Sequence, residues 1–340
     1  MKIYNHIFEK IISLENLFSA WDEFKKDKQH KPDVICFEQR LEENIFALHR
    51  DLQYKQYKHG AYTSFYIHDP KQRHIHKAAI RDRVLHHAVF VQLNPLFEPT
   101  FINNSFSCQV GKGTHKGVRE LEAALRKVSH NYINHCFVLK CDVQKFFASV
   151  NHVVLSDIIS MRVKDRDAMW LINEIINSFS SGLPIGNLTS QLFANVYMNE
   201  LDQFVKHKLK VTHYFRYTDD FVIVSNDRAY LQHLLPLIRQ FLNYTLYLAL
   251  HPNKVSICKL PQGVDFLGYV LLPHHRIVKT KTKHRIFHKL HSRVQEYKQD
   301  KINRETLEQS LQSYLGVLSH ANAYRLINEL KNKFWFWLNE

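Results

Sequence analysis

The chain has 340 residues, room for two or three domains, and its 45% hydrophobic and 13% aromatic content excludes a disordered polymer. Its 46 Lys and Arg outnumber 32 Asp and Glu, a formal charge of +14 that favours a polyanionic partner, nucleic acid first. No run of about 18 apolar residues occurs, so no membrane span is expected. The charged start, MKIYNHIFEKIISLENLF, lacks a small-residue cleavage site, which argues against a secretory signal and for a cytoplasmic protein. Five cysteines without a Cys-x-x-Cys spacing fit a reducing compartment and not a zinc ribbon. The histidine pairs His86-His87 and His274-His275 match no metal-ligand pattern and are expected at the surface or in the core.

In chain order, apolar residues at helical spacing predict two amphipathic helices near Leu14–Lys25 and Val34–Leu52. AYTSFYIHDPKQRHIHK (61–77) reads as a hairpin: an aromatic strand, a turn at Asp69-Pro70 and a basic return strand. A helix over Ile80–Leu96 is expected to end at Pro95 and Pro99. GKGTHKGV (111–118) is a glycine-punctuated loop leading into a helix that reaches about Val128. HCFVLKCDVQKFFASV (135–150) begins as a buried strand and breaks after Asp142 into a tight aromatic turn.

Two helices fill 152–179, and SSGLPIGNLTSQ (180–191) is a loop opening a long helix to about Leu209. FRYTDDFVIVS (215–225) reads as two short strands joined at Thr218-Asp219-Asp220. A helix near Ala229–Tyr247 and strands at Val255–Cys258 and Val264–Tyr269 follow. The stretch 274–293, HHRIVKTKTKHRIFHKLHSR, holds seven Lys/Arg, five His and no acid, and is expected to face a polyanion. Helices at Leu307–Leu318 and Asn322–Phe336 close the chain as an all-helical C-terminal part.

Adjacent aspartates at a hairpin tip repel each other unless a cation sits there. Asp142 ends a second strand of the same apolar character. Strand-end carboxylates from neighbouring strands make an oxygen-rich site for a hard divalent cation such as Mg²⁺. Two such ions about 4 Å apart clamp the attacking and leaving oxygens of a phosphoryl displacement.

These segments resemble the reverse transcriptases. CDVQKFFASV resembles their metal-binding Asp followed by aromatics, and RYTDDFVIV resembles their Tyr-x-Asp-Asp motif. GLPIGNLTSQLFANVYMNELD resembles the intervening loop and helix, and GVDFLGYVL resembles the segment that supports the primer. All four occur in the family's order. RDRVLHHAVFVQLNPLFEPTFINNSFSCQVGKGTHKGV (81–118) resembles the fingers of bacterial and group II intron-type enzymes, and LQSYLGVLSHANAYRL resembles their thumb. The resemblance implies an α+β, right-hand polymerase fold: an N-terminal helical segment (1–55), fingers and palm (56–270), and a basic helical thumb (271–340). No RNase H, zinc endonuclease or maturase segment is recognisable, so a minimal polymerase is expected.

The resemblance also implies roles. Asp142 and Asp219 would be metal ligands, with the Val143 carbonyl completing one shell and Asp220 setting the local field or ligating more loosely. Two Mg²⁺ ions are implied, with Mn²⁺ as a substitute. Phe147 would be the steric gate that favours dNTPs over rNTPs. Arg73 would lie over the incoming nucleotide, assisted by Lys71, and Gly186 would let the backbone approach the template–nucleotide pair. Arg81 and Arg83 are candidates for template-backbone contacts. Lys279, Lys281, Lys283, Arg285, Lys289 and Arg293 would grip the RNA–cDNA duplex.

One departure narrows the family. Most members carry Gln-Gly and Ser-Pro in the central loop, whereas this chain has Ile185-Gly186 and Ser190-Gln191. Isoleucine cannot hydrogen-bond the nucleotide sugar, which weakens geometric discrimination. This pattern is similar to the reverse transcriptases of diversity-generating retroelements. That likeness implies copying of a template-repeat RNA with misincorporation at adenines, and a pentameric basic accessory variability protein as partner. The alternatives are a bacterial reverse transcriptase of another lineage, in phage defence or solitary, and an idle polymerase fold serving as an RNA scaffold. The intact aspartates speak against idleness, and the aromatic gate disfavours an RNA product.

Overall fold

A computed structural model describes residues 2–68 and 72–340. The turn expected at Asp69-Pro70, and Lys71, lie outside the described residues. Helices α1 (Phe8–Ile12), α2 (Leu14–Lys25), α3 (Pro32–Glu38) and α4 (Leu41–Gln53) open the chain. The helix expected over 34–52 is thus two, broken at Gln39-Arg40. Strands β1 (Thr63–Ile67) and β2 (Arg73–Lys77) form the expected antiparallel hairpin, with Ile67 opposite Arg73.

Helix α5 (Ile80–Phe97) runs past Pro95 before a single 3₁₀ turn at Glu98–Thr100. Pro95 removes only the hydrogen bond to the carbonyl of Val91, a residue on the exposed face, so the helix continues to Phe97. Then come α6 (Thr114–Val128), β3 (Phe137–Asp142), the short α7 (Phe146–Ser149), α8 (His152–Ser160) and α9 (Arg166–Asn177). Helix α10 (Leu188–Gln203) ends in a π turn at Phe204–Lys208, so the long helix expected to Leu209 changes its winding over the last turn.

After α10 come β4 (Tyr214–Tyr217), β5 (Asp220–Ser225), α11 (Arg228–Thr245) and β6 (Ser256–Lys259). They join β3 in an antiparallel sheet of order β4-β5-β3-β6. Both faces of this sheet are covered, which explains its unbroken apolar runs. Leu139, Cys141, Tyr214, Phe221 and Ile223 point into a core shared with α5, α8, α9, α10 and α11. Val138, Phe215, Val222 and Val224 point the other way, onto α6 and a second sheet.

That second sheet is β7 (Val264–Phe266), β8 (Tyr269–Leu272) and β9 (His275–Val278), all antiparallel. Strand β9 corrects the expectation of a helical C-terminal part, because His275–Val278 pairs with β8 before any helix begins. The boundary expected between residues 270 and 271 falls inside β8. Helices α12 (Thr280–Lys298), α13 (Arg304–Ser319) and α14 (Tyr324–Asn339) close around a separate cluster of Ile286, Leu290, Val294, Leu307, Leu318 and Leu330. Among the described residues no helix is long and apolar enough to cross a membrane.

One polar contact crosses the larger core. Arg216 of β4 and Asp202, near the C-terminal end of α10, form a pair with no solvent exposure. Nε and Nη2 of Arg216 donate to the two carboxylate oxygens at 2.7 and 2.6 Å, and Tyr214 Oη donates to Asp202 Oδ1 at 2.8 Å. Burial works against the charge on Arg216, but the adjoining Asp202 carboxylate more than offsets it and holds the guanidinium above its ordinary pKa. Removing one partner strands the other in apolar surroundings. Asp202→Leu and Arg216→Met are each expected to cost about 3–5 kcal/mol. The double variant is expected to cost clearly less than the sum, read as a coupling energy in urea unfolding.

Candidate functional site

The aspartates meet where β3, β4 and β5 end on one side of the central sheet. Asp142, the last residue of β3, lies directly opposite Asp220, the first of β5. The Val143 amide donates to the Asp219 carbonyl at 3.2 Å, tying the end of β3 to the β4–β5 turn. The Asp142 carbonyl accepts from the His251 amide at 2.8 Å, which fixes the strand end from its other edge.

The turn is two residues, Thr218 and Asp219, and Thr218 has φ 55°. Tight hairpins ask for a positive φ there, a conformation costly for a β-branched residue. Three contacts hold it. Arg216 Nη1 donates to the Thr218 carbonyl at 3.0 Å, Thr218 Oγ1 donates to Ser107 Oγ at 2.7 Å, and Asn195 of α10 donates to the Ser107 carbonyl at 2.9 Å. The buried Arg216–Asp202 pair therefore also forms the floor under the aspartate turn.

The repulsion expected among the carboxylates is met in part by lysines that sequence reasoning did not single out. Lys254 Nζ donates to Asp142 Oδ1 at 2.8 Å. Lys140 Nζ lies 4.0 Å from Asp220 Oδ2 and 3.7 Å from Asp265 Oδ2. Asp142 and Asp220 are both half-buried, and Oδ1 of Asp220 is sealed from solvent. Burial lifts the Asp220 pKa to about 6, Lys140 opposes the rise, and Asp142, Asp219 and Asp265 add to it.

Among the described residues no three His, Cys, Asp or Glu side chains are gathered into a ready-made metal cage. The donor set still fits a hard divalent cation. Asp220 Oδ1 is buried without a hydrogen-bond partner, and an ammonium already stands against Asp142.

The aromatic turn and the central loop are docked on one another. Phe146 is buried, and Phe147 is half-buried and packed edge-on against it at 5.3 Å. The Leu183 amide donates to the Phe147 carbonyl at 2.6 Å. Farther along, the Ile185 carbonyl accepts from the His76 amide at 2.9 Å, and Asn187 Nδ2 donates to the His76 carbonyl at 3.0 Å. The loop thus bridges strand β2, which carries the exposed Arg73, to Phe147. Gly186 has φ 120°, and a Cβ there would stand 2.9 Å from the Ile75 side chain. Close packing against β2 is therefore a reason for that glycine beyond any substrate.

The remaining basic positions divide. Arg81 Nη2 pairs with Asp51 at 2.5 Å and its guanidinium lies over Tyr57, so it clasps α5 to α4. Arg83 lies over Phe24 at 4.5 Å, beside the loop residues Gly186 and Gln191. On and before α12, Lys279 pairs with Asp265, Lys283 with Glu329 and Arg293 with Glu296. Lys281 and Lys289 are exposed and Arg285 is half-buried. The stretch expected to be uncompensated borrows acids from other segments, so its positive field is weaker than its composition suggests.

Comparisons with known proteins bear on this arrangement. The profile of the family described as "Reverse transcriptase (RNA-dependent DNA polymerase)" matches residues 67–271, more than half of the chain. The chain is 23% identical over 248 residues to Protein YkfC of Escherichia coli K12, covering 61% of this chain and 63% of that protein. It is 22% identical over 271 residues to the group II intron-encoded protein LtrA of Lactococcus lactis subsp. cremoris, covering 58% of this chain and 44% of that protein. The chain therefore spans less than two thirds of the length of either relative.

Gly182 offers a direct check on the docked loop. It has φ +68°, and a Cβ would fall 2.2 Å from the Phe147 carbonyl oxygen. Gly182→Ala is expected to destabilise the protein by about 1–2 kcal/mol from backbone conformation alone, with the clash in addition. Hydrogen exchange at the Leu183 amide, slow in the parent protein, is expected to accelerate as the loop lifts.

Proposed function

Because the chain belongs to the reverse transcriptase family, we propose that it is an RNA-directed DNA polymerase whose active centre is the carboxylate group of Asp142, Asp219 and Asp220. The observation that carries this is the facing pair Asp142 and Asp220, with Asp219 on the turn tied to Val143. Asp142 and Asp219, with the Val143 carbonyl, would hold divalent cations of the Mg²⁺ class. Bound there, such ions supply charge neutralisation and ease deprotonation of an attacking hydroxyl.

The chain's own groups do the rest. Asp220, with one oxygen sealed from solvent, would raise the negative field behind Asp142. Lys254 keeps Asp142 neutralised until a stronger cation displaces its ammonium. Phe147, whose carbonyl is held by the docked loop, would exclude a ribose 2′-hydroxyl. Arg73, exposed on β2, would meet the triphosphate. In this assignment the β1–β2 hairpin and α5 are fingers, the β4-β5-β3-β6 sheet is palm, and α12–α14 are thumb, with RNA template, RNA–cDNA duplex and dNTPs as ligands. The exposed Lys281 and Lys289 would contribute backbone contacts to the duplex.

Within the family, the error-prone enzyme of a diversity-generating retroelement is supported by Ile185 and Gln191. Ile185 contributes only its carbonyl to the β2 contact, leaving an apolar side chain where a glutamine would add hydrogen bonds. A template-repeat RNA and a basic accessory variability protein are the partners that follow from it.

Asp219→Asn is expected to abolish metal-dependent dNTP incorporation, by at least about a thousandfold, while circular dichroism and the unfolding midpoint stay near the parent's. Full activity in this variant would remove the assignment of the centre. Ile185→Gln is expected to lower misincorporation opposite template adenine in sequenced primer-extension products. An unchanged error spectrum would count against the diversifying subfamily and leave the polymerase assignment standing.

A further inference from the structure

On the far side of the central loop from Phe147, a cleft of about 200 Å³ lies between α5, the segment after α2 and the start of α10. Lys28, Arg83, His86 and His87 line one side, and Gly186 to Leu188 with Gln191 line the other. Two polar atoms of these lining residues, Arg83 Nη1 and His86 Nδ1, are buried and have no hydrogen-bond partner. His86 is 1% exposed, and its other ring nitrogen is engaged with His59 at 3.2 Å. Arg83 Nη1 is a donor in every state, and a buried, unpaired donor in a folded protein calls for a partner.

The opposite wall has the same deficit. Asn187 occupies the N-cap of α10 but makes no capping bond; its side chain is turned to the chain around His76 and Ala78 instead. The first-turn amides of a 16-residue helix therefore reach the cleft without a side-chain cap.

Charge in the cleft is of one sign. Burial depresses the pKa of Lys28, and Arg83 and Lys31 depress it further. Burial also depresses Arg83, with Asp33 the nearby acid that counters it, and Asp33 is already paired with Lys77. Burial pushes His86 to about 3 and His87 to about 4, so at neutral pH both rings are uncharged hydrogen-bonding groups. Among the described residues no acid lines the cleft; Asp27, Asp33 and Glu23 act on Lys28, Arg83 and His87 from beyond its walls.

We propose that this cleft is an anion site that takes a phosphate group, held by Arg83, Lys28, His86 and the amides opening α10. The group is supplied by a nucleic-acid strand passing the loop or by free phosphate. Only the first source rests on the polymerase assignment. The size of the cleft suits one phosphate and its water, and the planar Arg83 fork, fixed over Phe24, suits phosphate oxygens.

The test titrates inorganic phosphate against the full chain at ionic strength matched with chloride, following the thermal midpoint and the heat of binding. A saturable rise is expected in the parent protein. In Arg83→Gln and in Lys28→Gln the affinity is expected to fall about tenfold, and Arg83→Lys is expected to recover part of it. Lys28 lies at the rim, so its variant remains informative should Arg83→Gln fail to fold. No rise beyond chloride, or an equal rise in both glutamine variants, overturns the site.

A second arm uses a short single-stranded RNA. If phosphate competes with the RNA and Arg83→Gln weakens it, the strand supplies the group. If RNA affinity is indifferent to both while phosphate still binds, free phosphate does. Neither arm requires polymerisation, so loss of catalysis and loss of this site are read separately.

Discussion

The Arg216–Asp202 pair is the constraint on which the rest of the centre depends. It is an ion pair with both side chains fully buried, and such pairs are poor sources of stability, since the cost of desolvating two charges rivals their attraction. What it provides is position. Two parallel hydrogen bonds lock the guanidinium in plane, and its remaining nitrogen is then aimed at the Thr218 carbonyl at 3.0 Å and the Asn195 side-chain oxygen at 3.4 Å. A turn with a β-branched residue at positive φ would otherwise relax, and Asp219 would move with it. The second support, through Ser107 and Asn195, starts from the same helix. The turn is thus specified from beneath by α10, not by its own sequence alone.

Above that floor the electrostatics run the other way. Four carboxylates, Asp142, Asp219, Asp220 and Asp265, influence one another across the end of the sheet. Lysines 140 and 254 offset part of the repulsion, each from a different chain segment. Asp142 meets the ammonium of Lys254, whereas Asp220 keeps one oxygen sealed from solvent and unpaired. The two facing carboxylates are both half-buried and differ in their partners, although the sequence makes them look alike.

Much of this was legible in the sequence where pattern and contact are local. The apolar runs around Asp142 and Asp219 gave the strands, and the hairpin register follows from a two-residue turn between them. The helix opening after the central loop was visible from its apolar spacing. What stayed hidden depends on partners distant in the chain. Arg216 sits inside the quoted Tyr-x-Asp-Asp stretch, yet nothing local assigns it to Asp202. The one available signal was an arginine inside an apolar strand, which demands a buried acid. Lys254 is 112 residues from Asp142 and follows an unremarkable Pro-Asn turn. The acids that pair with Lys279, Lys283 and Arg293 lie outside the stretch or just past its end, so a count over 274–293 overstated its field. Strand β9 was missed because its His-Arg-Ile-Val sequence opens a basic stretch that continues into helix α12, and its pairing partner β8 is what makes it a strand.

Helix α10 is buried along nearly its whole length and joins two places that do different work. Its first turn carries the loop with Ile185 and Gln191, and its last turn carries Asp202, about 20 Å away at 1.5 Å per residue. The loop packs against the β2 strand, and the floor beneath Asp219 is held by residues farther along the same helix. Under the proposed assignment, the loop tied to accuracy and the floor beneath the carboxylates lie at opposite ends of one helix, so the two could be altered by separate replacements.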